Sequence, residues 1–104
     1  MIIEQRTYTL IPGKVPEYLK IYEELGAPIQ IPILGNLIAA MTSEIGPLNQ
    51  YIHIWGYESM AERDRRRAEL AAHPDWPTYL KAAVPLMVQM ENKLCIPAPF
   101  SPVK

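Results

Sequence analysis

The sequence contains very little cysteine and no excess of charge. Its 104 residues include a single cysteine, Cys95, which therefore has no partner for a disulfide within the chain. A lone thiol is compatible with a reducing compartment. The formal net charge at pH 7 is −1, so the composition offers no electrostatic attraction for nucleic acid or for an anionic membrane surface. We therefore expect neither nucleic acid nor membrane as a partner.

Long apolar runs and leader-like segments are missing as well. No stretch approaches the roughly 20 consecutive apolar residues that a membrane-spanning helix requires. The first residues resemble a strand, with neither the apolar core of a signal peptide nor the Arg- and Ser-rich pattern of a transit sequence. These features predict a cytoplasmic protein.

Several motifs that carry chemistry are also missing. The chain has no glycine-rich phosphate loop and no serine-centred nucleophile elbow. Its one cysteine and two histidines do not stand at the spacing of metal ligands. We accordingly expect no metal and no cofactor.

What the sequence does contain is a regular alternation of strand-like and helix-like segments. Residues 14–25 place apolar side chains at helical spacing, and Gly26 followed by Pro28 predicts the end of that helix. Ser59 and Glu62 form a capping-box pattern, which predicts a second helix running to about Ala72, with a further helical piece from Trp76. The predicted strands are residues 2–10, 34–44, 50–58 and 86–96.

This β-α-β-β-α-β order predicts an α+β fold of the ferredoxin-like type, a four-stranded antiparallel sheet with helices on one face. We expect one domain over residues 1–104, with a proline-rich C-terminal arm at 97–104. Both faces of the second and third strands are largely apolar, and the helices can cover only one. A second copy is the simplest cover, so we predict a homodimer through the sheet face, a dimeric α/β barrel.

The third strand carries the most informative pattern in the chain. Because alternate side chains of a strand share a face, Tyr51, His53, Trp55 and Tyr57 form one aromatic stripe. The opposite face carries Ile52, Ile54 and Gly56. The stripe forms the wall either of a pocket or of a dimer interface, and the sequence does not decide between the two.

Several segments together resemble one known family. They are Glu4-Gln5-Arg6-Thr7-Tyr8, Pro12-Gly13, residues 44–57, Arg63, Arg67, Trp76, Tyr79 and Phe100-Ser101-Pro102. On these residues the chain resembles a NIPSNAP domain within the wider group of dimeric α/β barrels, over almost its whole length. The resemblance implies the β-α-β-β-α-β fold and dimerisation, but little about chemistry. Related barrels include cofactor-free monooxygenases, muconolactone isomerases and haem-using enzymes, which would be analogies of fold only.

His53 is the first candidate for a functional residue. A histidine in the middle of a strand can act as general acid or base or as a haem ligand, or it can be a structural histidine bonded to a neighbour. Its aromatic surroundings are typical of a ligand pocket.

The arginines of the second helix are the next candidates. Arg63 and Arg67 are i, i+4 neighbours on a partly apolar side, so they can contact a ligand carboxylate or an internal acid such as Glu4, Glu44 or Glu58. Arg65 and Arg66 are predicted to face solvent. The alternative for the whole group is a solvated basic face or a structural ion pair. The residues Tyr18, Tyr22, Trp76 and Tyr79 stand at core spacing and are assigned to packing.

These candidates lead to one main hypothesis and two alternatives. The main hypothesis is a small apolar pocket between sheet and helices that binds or transforms an apolar or aromatic molecule bearing a carboxylate or carbonyl. His53 would act as the acid–base or hydrogen-bonding group, and Tyr8, Tyr51, Trp55, Arg63 and Arg67 would bind the ligand. One alternative is a non-catalytic interaction or scaffold protein. The other is haem binding by His53 or, by analogy of fold, a cofactor-free enzyme of the monooxygenase or isomerase type. The sequence does not decide whether the protein is an enzyme.

Overall fold

Four antiparallel strands form a single sheet in the computed structural model, which describes residues 1–104. The strands are β1 (Ile2–Leu10), β2 (Leu37–Thr42), β3 (Gln50–Tyr57) and β4 (Met87–Cys95). Their order in the sheet is β2-β3-β1-β4, so β1 lies in the interior, paired with β3 on one side and with β4 on the other. This topology confirms the predicted ferredoxin-like arrangement.

The helices follow β1 and β3 in sequence. Between β1 and β2 they are α1 (Val15–Ile21), a π-helical turn (Tyr22–Gly26) and α2 (Ala27–Leu34). Between β3 and β4 they are α3 (Met60–Ala72), α4 (Trp76–Ala83) and a short 3₁₀ turn (Val84–Leu86). None of these helices combines the length and the apolar character needed to cross a bilayer.

The prediction that the first helix ends at Gly26 was wrong. Gly26 has helical dihedral angles (φ −97°, ψ −54°), and the helical path continues through α2 to Leu34. The glycine is explained by packing instead. A Cβ atom there would lie 2.7 Å from the ring of Tyr22 and 2.8 Å from the ring of Tyr79. Gly26 therefore allows the π-helical turn to pack closely against α4, and it does not end the helix.

The true end of this helical segment is Gly35, so the predicted strand at 34–44 is shortened to 37–42. Gly35 has φ +91°, which favours glycine, and a Cβ atom there would meet Arg66 at 2.8 Å. Arg66 donates to the carbonyl oxygen of Ile33 (3.0 Å) and pairs with Glu62 (2.7 Å). The prediction that Arg66 faces solvent was therefore wrong, because its guanidinium satisfies a carbonyl at the end of α2.

The start of α3 confirms the predicted cap. Ser59 has extended dihedral angles, and its Oγ accepts a hydrogen bond from the backbone N–H of Glu62 at 3.1 Å. The Glu62 carboxylate in turn accepts from the backbone N–H of Glu58 at 2.6 Å. The carboxylate thus bonds the N–H one residue before the usual partner in a capping box.

Tyrosine and tryptophan side chains form much of the core between the sheet and the helices. The four residues assigned to packing by their helical spacing are buried there, which confirms that assignment: Tyr18, Tyr22, Trp76 and Tyr79. The hydroxyl groups of Tyr18 and Tyr79 are hydrogen-bonded to each other at 2.8 Å, and Tyr22 donates to Gln30 Oε1 at 2.6 Å. These bonds satisfy hydroxyls that would otherwise be costly to bury.

Candidate functional site

The aromatic stripe of β3 faces the helices. Tyr51, His53, Trp55 and Tyr57 are each exposed by 2% or less. Ile52 and Ile54 point to the opposite face of the sheet, where they are only half-buried. The tertiary structure thus decides the question that the alternation pattern left open, because it places the only mid-strand imidazole in the interior.

His53 lies on this stripe with one ring nitrogen occupied and the other free. Trp55 Nε1 donates a hydrogen bond to His53 Nδ1 at 2.7 Å, so Nδ1 carries no proton. Burial, reinforced by the charge of Arg6, lowers the pKa of His53 to about 3, while Glu4 acts in the opposite direction. At neutral pH the ring is therefore uncharged, with its proton on Nε2. Buried Nε2 has no hydrogen-bond partner.

A cavity of about 200 Å³ lies against His53, between the sheet and the helices. The strands contribute Arg6 and Tyr8 of β1, and the side chains of Met87 and Met90 lie on the β4 side. The helices contribute mainly aromatic and amide groups, namely Tyr18, Gln30, Trp76 and Tyr79, together with Arg67. Eight of the twelve lining residues are apolar or aromatic, and the other four are polar, a mixture that is typical of small-molecule sites.

Arg67 lines the same cavity and carries a second free donor. It is half-buried on α3, and its Nη1 atom is buried without a hydrogen-bond partner. A guanidinium group has donors only and stays charged at any physiological pH. Two residues that line the cavity, His53 and Arg67, therefore each carry a buried donor without a partner.

Arg63 is the opposite case, because an internal acid occupies it. Glu4 is fully buried and accepts from Arg63 Nε (3.0 Å) and Nη2 (2.9 Å), from Arg6 Nη1 (3.0 Å) and from Asn92 Nδ2 (2.8 Å). Burial by itself raises the pKa of Glu4, but the hydrogen bonds from Arg63 and Asn92 and the charge of Arg6 outweigh it and lower the pKa to about 2. Glu4 is therefore ionised.

The remaining candidate residues divide among different places. Tyr8 lines the cavity, with its hydroxyl accepting from Arg6 Nε at 3.0 Å and its ring edge-on to His53. Trp55 is fully buried and does not line the cavity, but it fixes the orientation of His53. Tyr51 lines a separate groove near β2. Of the six residues proposed from the sequence, the cavity thus gathers Tyr8, His53 and Arg67.

Among the charged and amide side chains that line the cavity, Gln30 and Arg6 were not proposed from the sequence. Gln30 is 5% exposed and accepts from Tyr22, but the predicted helix end at Gly26 placed it in a loop. Arg6 also lines the cavity, where its guanidinium donates to both Glu4 and the hydroxyl of Tyr8. The signal for Gln30 was a polar residue within the apolar run 27–34.

The buried polar atoms that lack a hydrogen-bond partner belong to only two elements of the fold. The chain buries only four side-chain nitrogen or oxygen atoms without a hydrogen-bond partner, and all lie on the β3 stripe or on α3: Tyr51 Oη, His53 Nε2, Tyr57 Oη and Arg67 Nη1. Each such atom costs about 1–3 kcal/mol of stability.

No three His, Cys, Asp or Glu side chains come close enough together to hold a metal ion.

Fold and site together define a ferredoxin-like α+β domain with a cavity between the sheet and the helices. The NIPSNAP family model matches residues 3–102. The chain therefore belongs to the NIPSNAP family.

Individual relatives agree with this assignment. The chain is 31% identical over 105 residues to the human protein NipSnap homolog 2, covering 99% of the chain and 35% of that relative. It spans about a third of the length of such curated relatives. A NIPSNAP family protein of unknown function from Agrobacterium tumefaciens is 44% identical with a TM-score of 0.97, covering 100% of this chain and 94% of that one. The likeness to SnoaB, a cofactor-independent oxygenase from Streptomyces nogalater, concerns the fold alone (TM-score 0.65, 13% identity, covering 97% and 96% of the chains).

Proposed function

We propose that the cavity beside His53 binds a small aromatic or apolar molecule through a carboxylate or carbonyl oxygen. The observation that carries this proposal is the pair of buried, unpartnered donors, His53 Nε2–H and Arg67 Nη1. Both are donors only, so the complementary group on a ligand is an acceptor. A carboxylate satisfies both donors and also neutralises the charge of Arg67.

The size and walls of the cavity support a ligand with one ring. An apolar cavity of about 150 Å³ is known to bind benzene. The volume here is about 200 Å³, which leaves room for one ring and a short polar group. The aromatic side chains of Tyr8, Tyr18, Trp76 and Tyr79 provide surfaces on which a ring can stack.

We assign His53 the hydrogen-bonding role rather than the acid–base role. Its Nδ1 is occupied by Trp55 and its Nε2 carries the proton, so the neutral ring has no free lone pair to accept a proton. The same geometry does not favour haem, because iron would need an unprotonated nitrogen. The volume also lies below the roughly 300–1000 Å³ of pockets for larger ligands.

A benzoate titration tests this binding site. With ¹³C-labelled methionine methyl groups, benzoate is expected to shift Met87 and Met90, which line the cavity, and not Met60, which does not. Arg67→Met is expected to weaken binding roughly 10- to 100-fold, because a hydrogen bond to a charged group is worth about 1.5–3 kcal/mol. Arg65→Met, which removes an exposed arginine from the same helix, is the matched control. Absence of saturable shifts, or equal weakening by both variants, would refute the proposal.

We also propose that the chain forms a homodimer through the open face of the sheet. The strand registers place Ile3, Ile52, Ile54, Ala39 and Met41 on this face, and no helix of the chain covers it. After Cys95 the chain forms neither helix nor strand, and Phe100 there is 89% exposed. A group of apolar side chains left uncovered in this way is typical of an interface. The same face is the observation in favour of an interaction or scaffold role.

Sedimentation velocity tests the dimer. Ile54→Lys places a charge in the centre of the open face and is expected to convert a dimer to monomers, because an unpaired charge is costly to bury. Leu25→Lys, on the helical side, is the control and should leave the sedimentation coefficient unchanged. A wild-type chain that sediments as a monomer at micromolar concentration would contradict this proposal.

A further inference from the structure

A second, larger concavity lies on the same face of the sheet, on the side of β3 toward β2. This groove, of about 430 Å³, runs between the edge strand β2 and the helical segment formed by α1 and the π-helical turn. Most of its lining is apolar, from Leu19, Tyr22, Ala27, Ala40, Met41 and Tyr51, with Glu23 and Thr42 also present. It shares no lining residue with the cavity beside His53.

An aromatic wall separates the groove from the cavity. On the groove side are Tyr51 and Tyr22, and on the cavity side are Tyr18 and His53. The ring of Tyr51 lies 5.1 Å from that of Tyr18 and 5.0 Å from that of His53, measured between centroids. Tyr22 belongs to the π-helical turn, a local irregularity that is frequent at functional sites.

Five tyrosine rings pack against one another around this wall, those of Tyr8, Tyr18, Tyr22, Tyr51 and Tyr79. Tyr51 is the one member of this tyrosine cluster without a hydrogen bond. The hydroxyls of Tyr18 and Tyr79 bond each other, Tyr22 bonds Gln30, and Tyr8 accepts from Arg6. The hydroxyl of Tyr51 is buried, in a residue that is 2% exposed, and has no partner. Burial raises its pKa to about 12, so it remains a neutral group that can both donate and accept.

We propose that the groove is a second ligand site, for an uncharged molecule of about two fused rings whose hydroxyl or carbonyl bonds Tyr51. The volume exceeds that of the cavity and falls within the range of about 300–1000 Å³ usual for small-molecule pockets. The only ionisable groups in the lining are Tyr51 and Tyr22, which are phenols, and the carboxylate of Glu23, which disfavours an acid. Charge therefore separates the two sites, with acids bound beside Arg67 and neutral molecules beside Tyr51.

A titration with 2-naphthol tests the second site independently of the first. With methyl-labelled alanine and methionine, 2-naphthol is expected to shift Ala27 and Ala40 and to leave Met87 and Met90 unchanged. Benzoate should give the reverse pattern, so failure of either site is visible without the other. Shifts from 2-naphthol only at the two methionines, or at none of these residues, would overturn the proposal.

Two variants test the contacts within the groove. Tyr51→Phe is expected to weaken 2-naphthol roughly 5-fold, because it removes one neutral hydrogen bond, and to leave the binding of naphthalene unchanged. Ala40→Phe, from an exposed position on β2, should fill the groove and abolish the Ala27 shifts, whereas Ala68→Phe on the exposed side of α3 should not. Equal loss of 2-naphthol and naphthalene in Tyr51→Phe, or full binding in Ala40→Phe, would contradict the assigned contacts.

Discussion

Lowering the pH from 7 to 4 is expected to reduce the free energy of unfolding by about 3 kcal/mol through His53 alone. Burial lowers the pKa of this ring from 6.5 to about 3 in the folded chain. Between these two values the unfolded chain binds a proton that the folded chain does not, so stability falls as the pH falls. The loss begins near pH 6.5 and is complete near pH 3. Urea unfolding at fixed protein concentration, measured at several pH values, gives the slope.

Substituting each histidine in turn separates His53 from the rest of the chain. His53→Gln keeps an oxygen that can accept from Trp55 but cannot titrate, so the slope between pH 6.5 and 4.5 should largely disappear, whatever the stability at pH 7. His73→Gln removes the other histidine, in the turn before α4, and should retain the slope. An unchanged slope in His53→Gln would show that the buried ring does not titrate as inferred.

Glu4→Gln is expected to lower the free energy of unfolding by about 3–5 kcal/mol, because it leaves Arg6 and Arg63 without their buried counter-charge. The carboxylate is fully buried and accepts four hydrogen bonds, two of them in a bidentate pair with Arg63. Thermal and urea unfolding at pH 7 measure the loss. The same network predicts a further decline in acid, because the pKa of Glu4 is lowered from 4.5 to about 2 and its contribution is lost as the pH falls through that interval.

Glu69→Gln is the matched control for this substitution. Glu69 is exposed on the helix α3, away from the open face of the sheet, so its neutralisation should change stability by less than about 0.5 kcal/mol. A loss below about 1 kcal/mol in Glu4→Gln would mean that the two arginines find other partners or water.

Glu4 and His53 lie in one buried polar layer, on the face of the sheet that the helices cover. Glu4, with its three partners, is fully satisfied and contributes to stability above pH 4.5. His53 and Arg67, which line the cavity together with Arg6, keep donors that no other group satisfies. A fold optimised only for stability would pair or replace such groups, so their retention is typical of a binding site.

The sequence predicted the elements well where the signal is local. The alternation in residues 2–10 and 50–58 and the cap at Ser59 and Glu62 matched the structure to within about one residue. The error at Gly26 has a clear cause. A glycine before a proline is a strong local stop signal, but here the glycine makes room for the rings of Tyr22 and Tyr79. Tyr79 is distant in sequence, so no local pattern could indicate it.

The candidate site was predicted as a set of residues rather than as an arrangement. Arg63 and Arg67 are equivalent in the sequence, because they lie one turn apart on the same side of a helix. Only Arg63 reaches Glu4, 59 positions away, which leaves Arg67 with a free donor. Likewise, Tyr51 and His53 share one strand face but line two separate spaces.

The sequence by itself determined the order of strands and helices, the ferredoxin-like class, the family and the composition of the aromatic stripe. These follow from periodicity, caps and motif residues, which act over a few positions along the chain. Only the tertiary structure decided that the stripe faces the helices, that Glu4 occupies Arg63, and that His53 and Arg67 keep unpaired donors. The physical reason is that a buried polar atom is satisfied or left free by groups from other elements, which come together only when the sheet and helices pack.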